Sequence, residues 1–485
     1  MTDLKLDTSK KNKFKFFDLK KFKNRIAIIT ETNKIYRYKD IDSLSNKFLL
    51  KLDQNKKLIF LLGQNNIDTI IGYIAFLKKN YAILIIDYKI NNLFLNNLIK
   101  NYKPEYIYCP KNIKKISSYK FLYKFNNYNL LESRKKLNIQ LNKDICLLMS
   151  TSGSTGSPKL VKLSFKNLIS NTKSISKFLK IKKNDVTITS LPFSYVYGLS
   201  VINSHLFNGS SVVLTNSSIT EKKYWILLNK YKVNNLSGVP YSYSILERFF
   251  IKEVPKSIKY TTQAGGKMNS HQILRLLDIY KKNKIKLIQM YGAAEATARM
   301  SYLNFKFASK KIGSIGKPIP GGKFKIINDD GKIINKNNTN GELVYYGKNV
   351  FMGYSNNFKD LFLPDINKNI LKTGDIAYKD KDGFYYIVGR KNRYTKIFGI
   401  RVSLSELENI LYEKGVDTIM REYGDNKIEI YFKNLKGHQN HINFLSKLTN
   451  FNKNVFIPNK LSKQNISRNY KFKIQNISRN YKFKI

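Results

Sequence analysis

Cysteine is almost missing from this sequence, and Cys109 and Cys146 are the only two. They show neither metal-ligand spacing nor a disulfide framework, which fits a reducing compartment. Histidine is equally scarce: the four are scattered and make no metal site, and His438 and His441, one helical turn apart, read as an exposed polar face. No run of 18 apolar residues occurs, so no membrane-spanning helix is expected. The basic start, MTDLKLDTSKKNKFKFFDLKK, lacks the apolar stretch of a secretory signal, and the expectation is a soluble, cytoplasmic protein.

Acidic residues are also few, 33 against 87 basic ones, for a formal charge of +54. Such an excess ordinarily points to nucleic acid or an acidic membrane. Here only 12 of the basic residues are Arg, and the Lys are spread end to end among Asn, Ile, Phe and Tyr. Those amino acids share A- and T-rich codons, so the charge reads as a solvated lysine surface supplied by a biased genome, and no specific nucleic-acid partner is expected. Positions that keep Gly, Pro or Arg against this bias mark places where backbone or guanidinium geometry matters.

At 485 residues the chain suits two or more domains. From Arg25 to about Gln140, apolar runs such as RIAII, KLIFLL and YAILII alternate with helical segments such as IDTIIGYIAFLKK, the pattern of βαβ units. A second set follows Thr151: VTITSLP, SSVVLT, NNLSGVP, KYTTQAG and KLIQMYG, with helices such as SHQILRLLDIYKKN between them. Several of these strands end in Gly or Pro, where a ligand sits at the carboxyl edge of a parallel sheet. The predicted class is α/β: a large N-terminal domain of βαβ-type sheets (1–388) with a small β-rich subdomain (about 313–388). A small mobile α+β C-terminal domain (389–474) follows, and then a tail, 475–485.

The stretch LLMSTSGSTGSPKLVKLS, residues 147–164, concentrates chemistry. Two glycines let backbone N–H groups form a concave nest, the hydroxyls of Thr151, Ser152, Ser154 and Thr155 add neutral donors, and Lys159 adds charge. Such a loop can hold a polyphosphate. It is not a Walker A loop, because G-x-x-x-x-G-K-[ST] is absent and a strand follows.

TSGSTGSPK resembles the phosphate-loop signature of the AMP-forming adenylate ligases, the superfamily of acyl-CoA synthetases, nonribosomal peptide adenylation domains and luciferases. YGAAEAT (291–297), GELVYYG (341–347), KTGD (372–375) and GRKNRYTKIFGIRVSLSELE (389–408) are similar to its further elements, in the right order. Residues 22–468 are covered, and short stand-alone acyl ligases are the nearest likeness.

The resemblance implies ATP-dependent activation of a fatty or small organic acid as acyl-AMP with release of pyrophosphate. Transfer to CoA or to the phosphopantetheine of a carrier protein would follow, with a rotation at the hinge between the steps. Thr151, Ser152, Gly153, Ser154, Thr155, Gly156 and Lys159 would hold the phosphates. Ala264, Gly265, Gly266, Tyr291 and Gly292 would meet the adenine, with core packing as the other reading of Tyr291. Asp375 and Arg390 would contact the ribose, and Glu295 with Thr155 would hold Mg²⁺. Tyr195, Gly198 and Gly292 would border the acid, Asn392 marks the hinge, and Lys396 with Gly399 would serve the thiol step.

Two departures bear on activity. Ala294 stands where the family carries Thr, and PNKLSKQNISR, from Pro458, places Gln464 and Asn465 where Gly and the catalytic Lys are expected. QNISRNYKFKI then recurs unchanged from Gln475, with Asn476 at the same place. Either adenylation is crippled or Lys463 reaches in instead. The alternative is therefore a pseudoenzyme that binds nucleotide or acyl ligand. A nucleic-acid binder rests on charge alone.

Overall fold

The computed structural model describes residues 16–460 apart from 114–115, 136–139, 151–158, 251–253, 269, 391–393, 417, 425, 433 and 436. The chain divides into two compact units, Met1–Lys391 and Asn392–Ile485.

In the first unit an eight-stranded sheet has a parallel centre: Leu58–Gly63 lies between Ala82–Asp87 and Tyr106–Pro110, and Ala82–Asp87 pairs onward with Ile145–Ser150. These strands are buried along nearly their whole length, as continuous apolar runs covered on both faces should be. The helix Ile67–Lys78 between the first two starts at Asn66, whose side chain accepts from the Thr69 N–H, a cap of about 1 kcal/mol. Leu160–Ser164 folds back antiparallel on Ile145–Ser150, with Ser150 opposite Leu160. Strands thus bound the segment 151–159 on both sides, as the sequence predicts.

The second sheet has 13 strands among the described residues. Its parallel core runs through Val186–Ile188, Asn235–Gly238, Tyr260–Gln263 and Lys286–Tyr291. Two details go beyond the sequence reading. The strand Ile26–Ile29 pairs antiparallel with Ile35–Arg37 and in parallel with Ser211–Val213 of this second sheet. The β-rich strands join the same sheet: Ser314–Pro318 pairs with Ser301–Leu303 on one side and with Tyr385–Arg390 on the other, so the ladder is continuous. In both cases backbone pairing between distant segments decides, and no single segment carries that information.

The second unit has its own apolar core, including Ile397, Leu407, Leu411, Ile430, Phe432 and Leu445. The predicted helix appears at Leu404–Glu413 and the predicted strand at Ile428–Phe432, in a three-stranded sheet with Thr418–Glu422 and Phe456–Lys460. Tyr394–Ile397 and Ile400–Ser403 form a hairpin whose two turn residues, Phe398 and Gly399, have φ of 48° and 83°. A two-residue turn with both φ positive matches strand twist, which explains Gly at 399.

Candidate active site

The second sheet carries Tyr291 and Asp375 on two of its strands. Tyr291 closes the strand Lys286–Tyr291, and its hydroxyl donates to the carboxylate of Asp375. Asp375 is 2% exposed and lies on Ile370–Lys379, where its N–H donates to Thr373 Oγ1 (3.1 Å) and its Cα pairs with that of Arg390. Gly374, just before it at φ 69°, lies where the strand's register against Gly341–Gly347 shifts. Two residues far apart in sequence, assigned to adenine and to ribose, are therefore in direct contact.

Glu295 sits in a 3₁₀ turn, Ala294–Ala296, directly after the Tyr291 strand. Its backbone carbonyl accepts from the Phe351 N–H at 2.8 Å, and its Oε1 accepts from the hydroxyl of Tyr354 at 2.8 Å. Lys159, at the end of the phosphate loop, places Nζ 3.9 Å from the centroid of the same Tyr354 ring. The order follows from register: Gly353–Ser355 pairs with Leu160–Ser164, and Tyr354 faces Val161, one strand position from where the loop ends. Sequence reasoning missed Tyr354, because nothing in FMGYSNN signals a partner near residue 160.

The turn after Glu295 stores strain. Thr297 has φ 65°, a region that β-branched residues avoid, and its hydroxyl donates to the Asn349 carbonyl at 2.8 Å. Ala294 is buried in the main apolar core, so its methyl takes a packing place where a hydroxyl was expected.

On the acid side, Gly265 has φ 83°, and a Cβ there would stand 2.8 Å from the Tyr195 hydroxyl. Tyr195 and the Gly265–Gly266 turn are thus neighbours, while Ala264 is buried in the cluster behind them. Burial pushes the Tyr195 phenol above its usual range, opposed by the guanidinium of Arg299. Gly198 and Gly292 are both close-approach glycines: a Cβ would meet the Pro192 carbonyl oxygen at 2.3 Å and the Ala298 carbonyl oxygen at 1.8 Å. Thr151 to Gly156, Asn392, Lys463 and Asn465 lie outside the described residues. Lys396 lies in the second unit, on the hairpin strand opposite Arg401.

Among the described residues no three His, Cys, Asp or Glu side chains cluster to hold a metal ion. A single carboxylate beside a phosphate loop nevertheless suits Mg²⁺, which usually takes one or two carboxylates and completes its shell with water and substrate phosphates.

A sequence model of the AMP-binding enzyme family matches residues 17–355. The chain belongs to the AMP-binding enzymes. Among the relatives of this AMP-binding enzyme is the 2-succinylbenzoate–CoA ligase of Oceanobacillus iheyensis, 30% identical over 276 residues, or 56% of this chain and 54% of that protein. The oxalate–CoA ligase of Arabidopsis thaliana is 31% identical over 280 residues, covering 55% and 52%. The chain thus spans about half the length of the relatives it matches. In fold it is similar to a double mutant of the Bacillus subtilis o-succinylbenzoate CoA synthetase bound with a product analogue. The TM-score is 0.71 at 19% identity, over 91% of this chain and 92% of that one. The same synthetase in complex with ATP and magnesium gives a TM-score of 0.64 at 22% identity, covering 85% and 88%.

Proposed function

We propose that this AMP-binding enzyme activates a small organic acid with ATP, forming acyl-AMP and pyrophosphate, and passes the acyl group to the thiol of CoA or of a carrier protein. The observation that carries the reading is the pairing of Tyr291 with Asp375 beside a second pair, Glu295 and Lys159, joined by Tyr354. The first suits a nucleoside, with an aromatic face for the base and a buried carboxylate for the ribose hydroxyls. The second puts a carboxylate and an ammonium next to a loop rich in backbone donors, as a polyphosphate requires. Bound Mg²⁺, held by Glu295 and Thr155, would neutralise phosphate charge.

The acid's carboxylate oxygen attacks the α-phosphorus, an oxygen–phosphorus bond to pyrophosphate breaks, and pyrophosphate leaves with the electron pair. In the second step a thiolate attacks the acyl carbon and AMP leaves. The chain's residues act by positioning and by charge: the loop and Lys159 hold the phosphates, Asp375 and Arg390 hold the ribose, and Tyr195 borders the acid. Lys396 and Gly399 are proposed for the thiol step and Asn392 for the hinge.

Relatives named 2-succinylbenzoate–CoA ligase, 4-coumarate–CoA ligase and oxalate–CoA ligase favour a small or aryl acid over a fatty acid and CoA over a carrier protein. Incubation with ATP, Mg²⁺, CoA and a panel of acids tests the reading. AMP and an acyl thioester should accumulate together, whereas ADP formation or hydrolysis without thioester contradicts it.

A further inference from the structure

Two residues after Glu295 the backbone takes a strained path. Thr297 has φ 65° and ψ −47°, and the Ala298 N–H donates to the Ala296 carbonyl at 2.7 Å, which closes a γ-turn of the rare, strained kind. A β-branched residue holds such a conformation only where its surroundings over-determine it. The turn is buried, so its polar groups must find partners within the protein.

Asn349 supplies them. It is 2% exposed and follows the strand Gly341–Gly347. Its Nδ2 donates to the Ala296 carbonyl at 2.8 Å and to the Arg299 carbonyl at 3.0 Å, one on each side of Thr297. Its own backbone carbonyl accepts from the Thr297 hydroxyl at 2.8 Å. Two residues on, the Phe351 N–H donates to the Glu295 carbonyl, also at 2.8 Å. One short segment thus grips the chain from Glu295 to Arg299.

The amide of Asn349 is itself held in place. Its Oδ1 accepts from the Tyr345 hydroxyl at 2.8 Å. Gly347 leaves the room for this: a Cβ there would stand 2.5 Å from that Oδ1 and 2.6 Å from the Tyr345 hydroxyl. Two residues of GELVYYG therefore orient Asn349. The task calls for two donors and an acceptor on one short side chain. Asp would turn an oxygen towards two carbonyls, and Ala would leave them without this donor.

The same segment continues to Tyr354, whose hydroxyl donates to the Glu295 carboxylate. Main chain and side chain of Glu295 are thus both fixed from residues 349 to 354. A group that meets a metal between phosphates tolerates little displacement, since a shift of about 1 Å can cost about 100-fold in rate. Tyr291 and Asp375, the nucleoside pair, lie on strands outside the turn.

Resting on the ligase reading above, we propose that Asn349 is a positioning residue for Mg²⁺ binding: it clamps the γ-turn at Thr297 and so aims the Glu295 carboxylate, itself touching neither nucleotide nor metal. Loss of the clamp separates metal use from nucleoside binding.

The test follows ATP and AMP binding to the full chain by calorimetry while Mg²⁺ is varied. Asn349→Ala should need about ten times more Mg²⁺ to half-saturate ATP binding, with AMP affinity within about twofold of the unaltered chain. Thr297→Val, which removes one bond and keeps the volume, should move the Mg²⁺ midpoint the same way by a smaller factor. Adding Thr297→Gly to Asn349→Ala should recover part of the loss, because glycine adopts a positive φ without strain. An unchanged midpoint, an equal loss of AMP affinity, or no recovery with glycine overturns the proposal. If Asn349→Ala does not fold, Thr297→Val decides on the same two affinities. ATP binding indifferent to Mg²⁺ in the unaltered chain overturns it as well. Absence of acid-dependent pyrophosphate exchange defeats the ligase reading instead, and the binding comparison still decides the role of Asn349.

Discussion

Tyr354 joins Glu295 to Lys159: its hydroxyl donates to the Glu295 carboxylate at 2.8 Å, while the Lys159 ammonium lies 3.9 Å from the centre of its ring. One side chain thus sets the spacing between the acidic and basic groups of the proposed polyphosphate site. Tyr354→Phe keeps the ring and removes the bond to a charged acceptor, an interaction of about 1.5–3 kcal/mol. The expected result is an activity that needs about ten times more Mg²⁺ for half-saturation, with thermal stability little changed. A Mg²⁺ titration of pyrophosphate exchange measures it, and an unchanged midpoint would remove Tyr354 from the site.

The Tyr291–Asp375 contact predicts how the ribose is read. Asp375→Ala should abolish discrimination between ATP and 2′-deoxy-ATP along with most of the activity. Tyr291→Phe, which keeps the aromatic face, should retain discrimination and lose about tenfold or less in kcat/KM, the scale of one hydrogen bond. Comparing the two nucleotides across three proteins checks this. Full activity in Asp375→Ala would assign the carboxylate to folding alone.

Gly265 is held by backbone conformation and by a neighbour at once. Gly265→Ala forces a side chain to φ 83° and to within 2.8 Å of the Tyr195 hydroxyl. The conformational part costs about 1–3 kcal/mol, seen as a lower Tm and weaker activity. Adding Tyr195→Phe removes the clashing oxygen and should return part of the loss. Strict additivity of the two changes would show that Tyr195 does not stand where the structure puts it.

The end of the C-terminal domain bears on rate. The sequence resemblance proposes Asn465 for the place of a catalytic lysine, and on that reading Asn465→Lys should raise acyl-adenylate formation at least tenfold, the scale expected when one transition-state charge contact is regained. Single-turnover measurement of acyl-AMP gives the answer. No gain, together with loss of activity in Lys463→Ala, would assign the role to Lys463.

How much was legible beforehand follows from how local each signal is. The strands on either side of residues 151–158 and the strands that carry Tyr291 and Asp375 announce themselves in contiguous residues, because apolar runs and caps are written locally. The placing of Ile26–Ile29 in the second sheet depends on pairing with Ser211–Val213, and the Tyr354 bridge depends on pairing with Leu160–Ser164. Such facts arise from register between distant segments.

The central claim is that this chain joins a carboxylic acid to AMP. Acid-dependent exchange of labelled pyrophosphate into ATP, with the full chain and Mg²⁺, tests it most directly. The account predicts exchange that requires a particular acid and is lost in Glu295→Gln; measurable ATP binding without exchange for any acid, before and after Asn465→Lys, would contradict it.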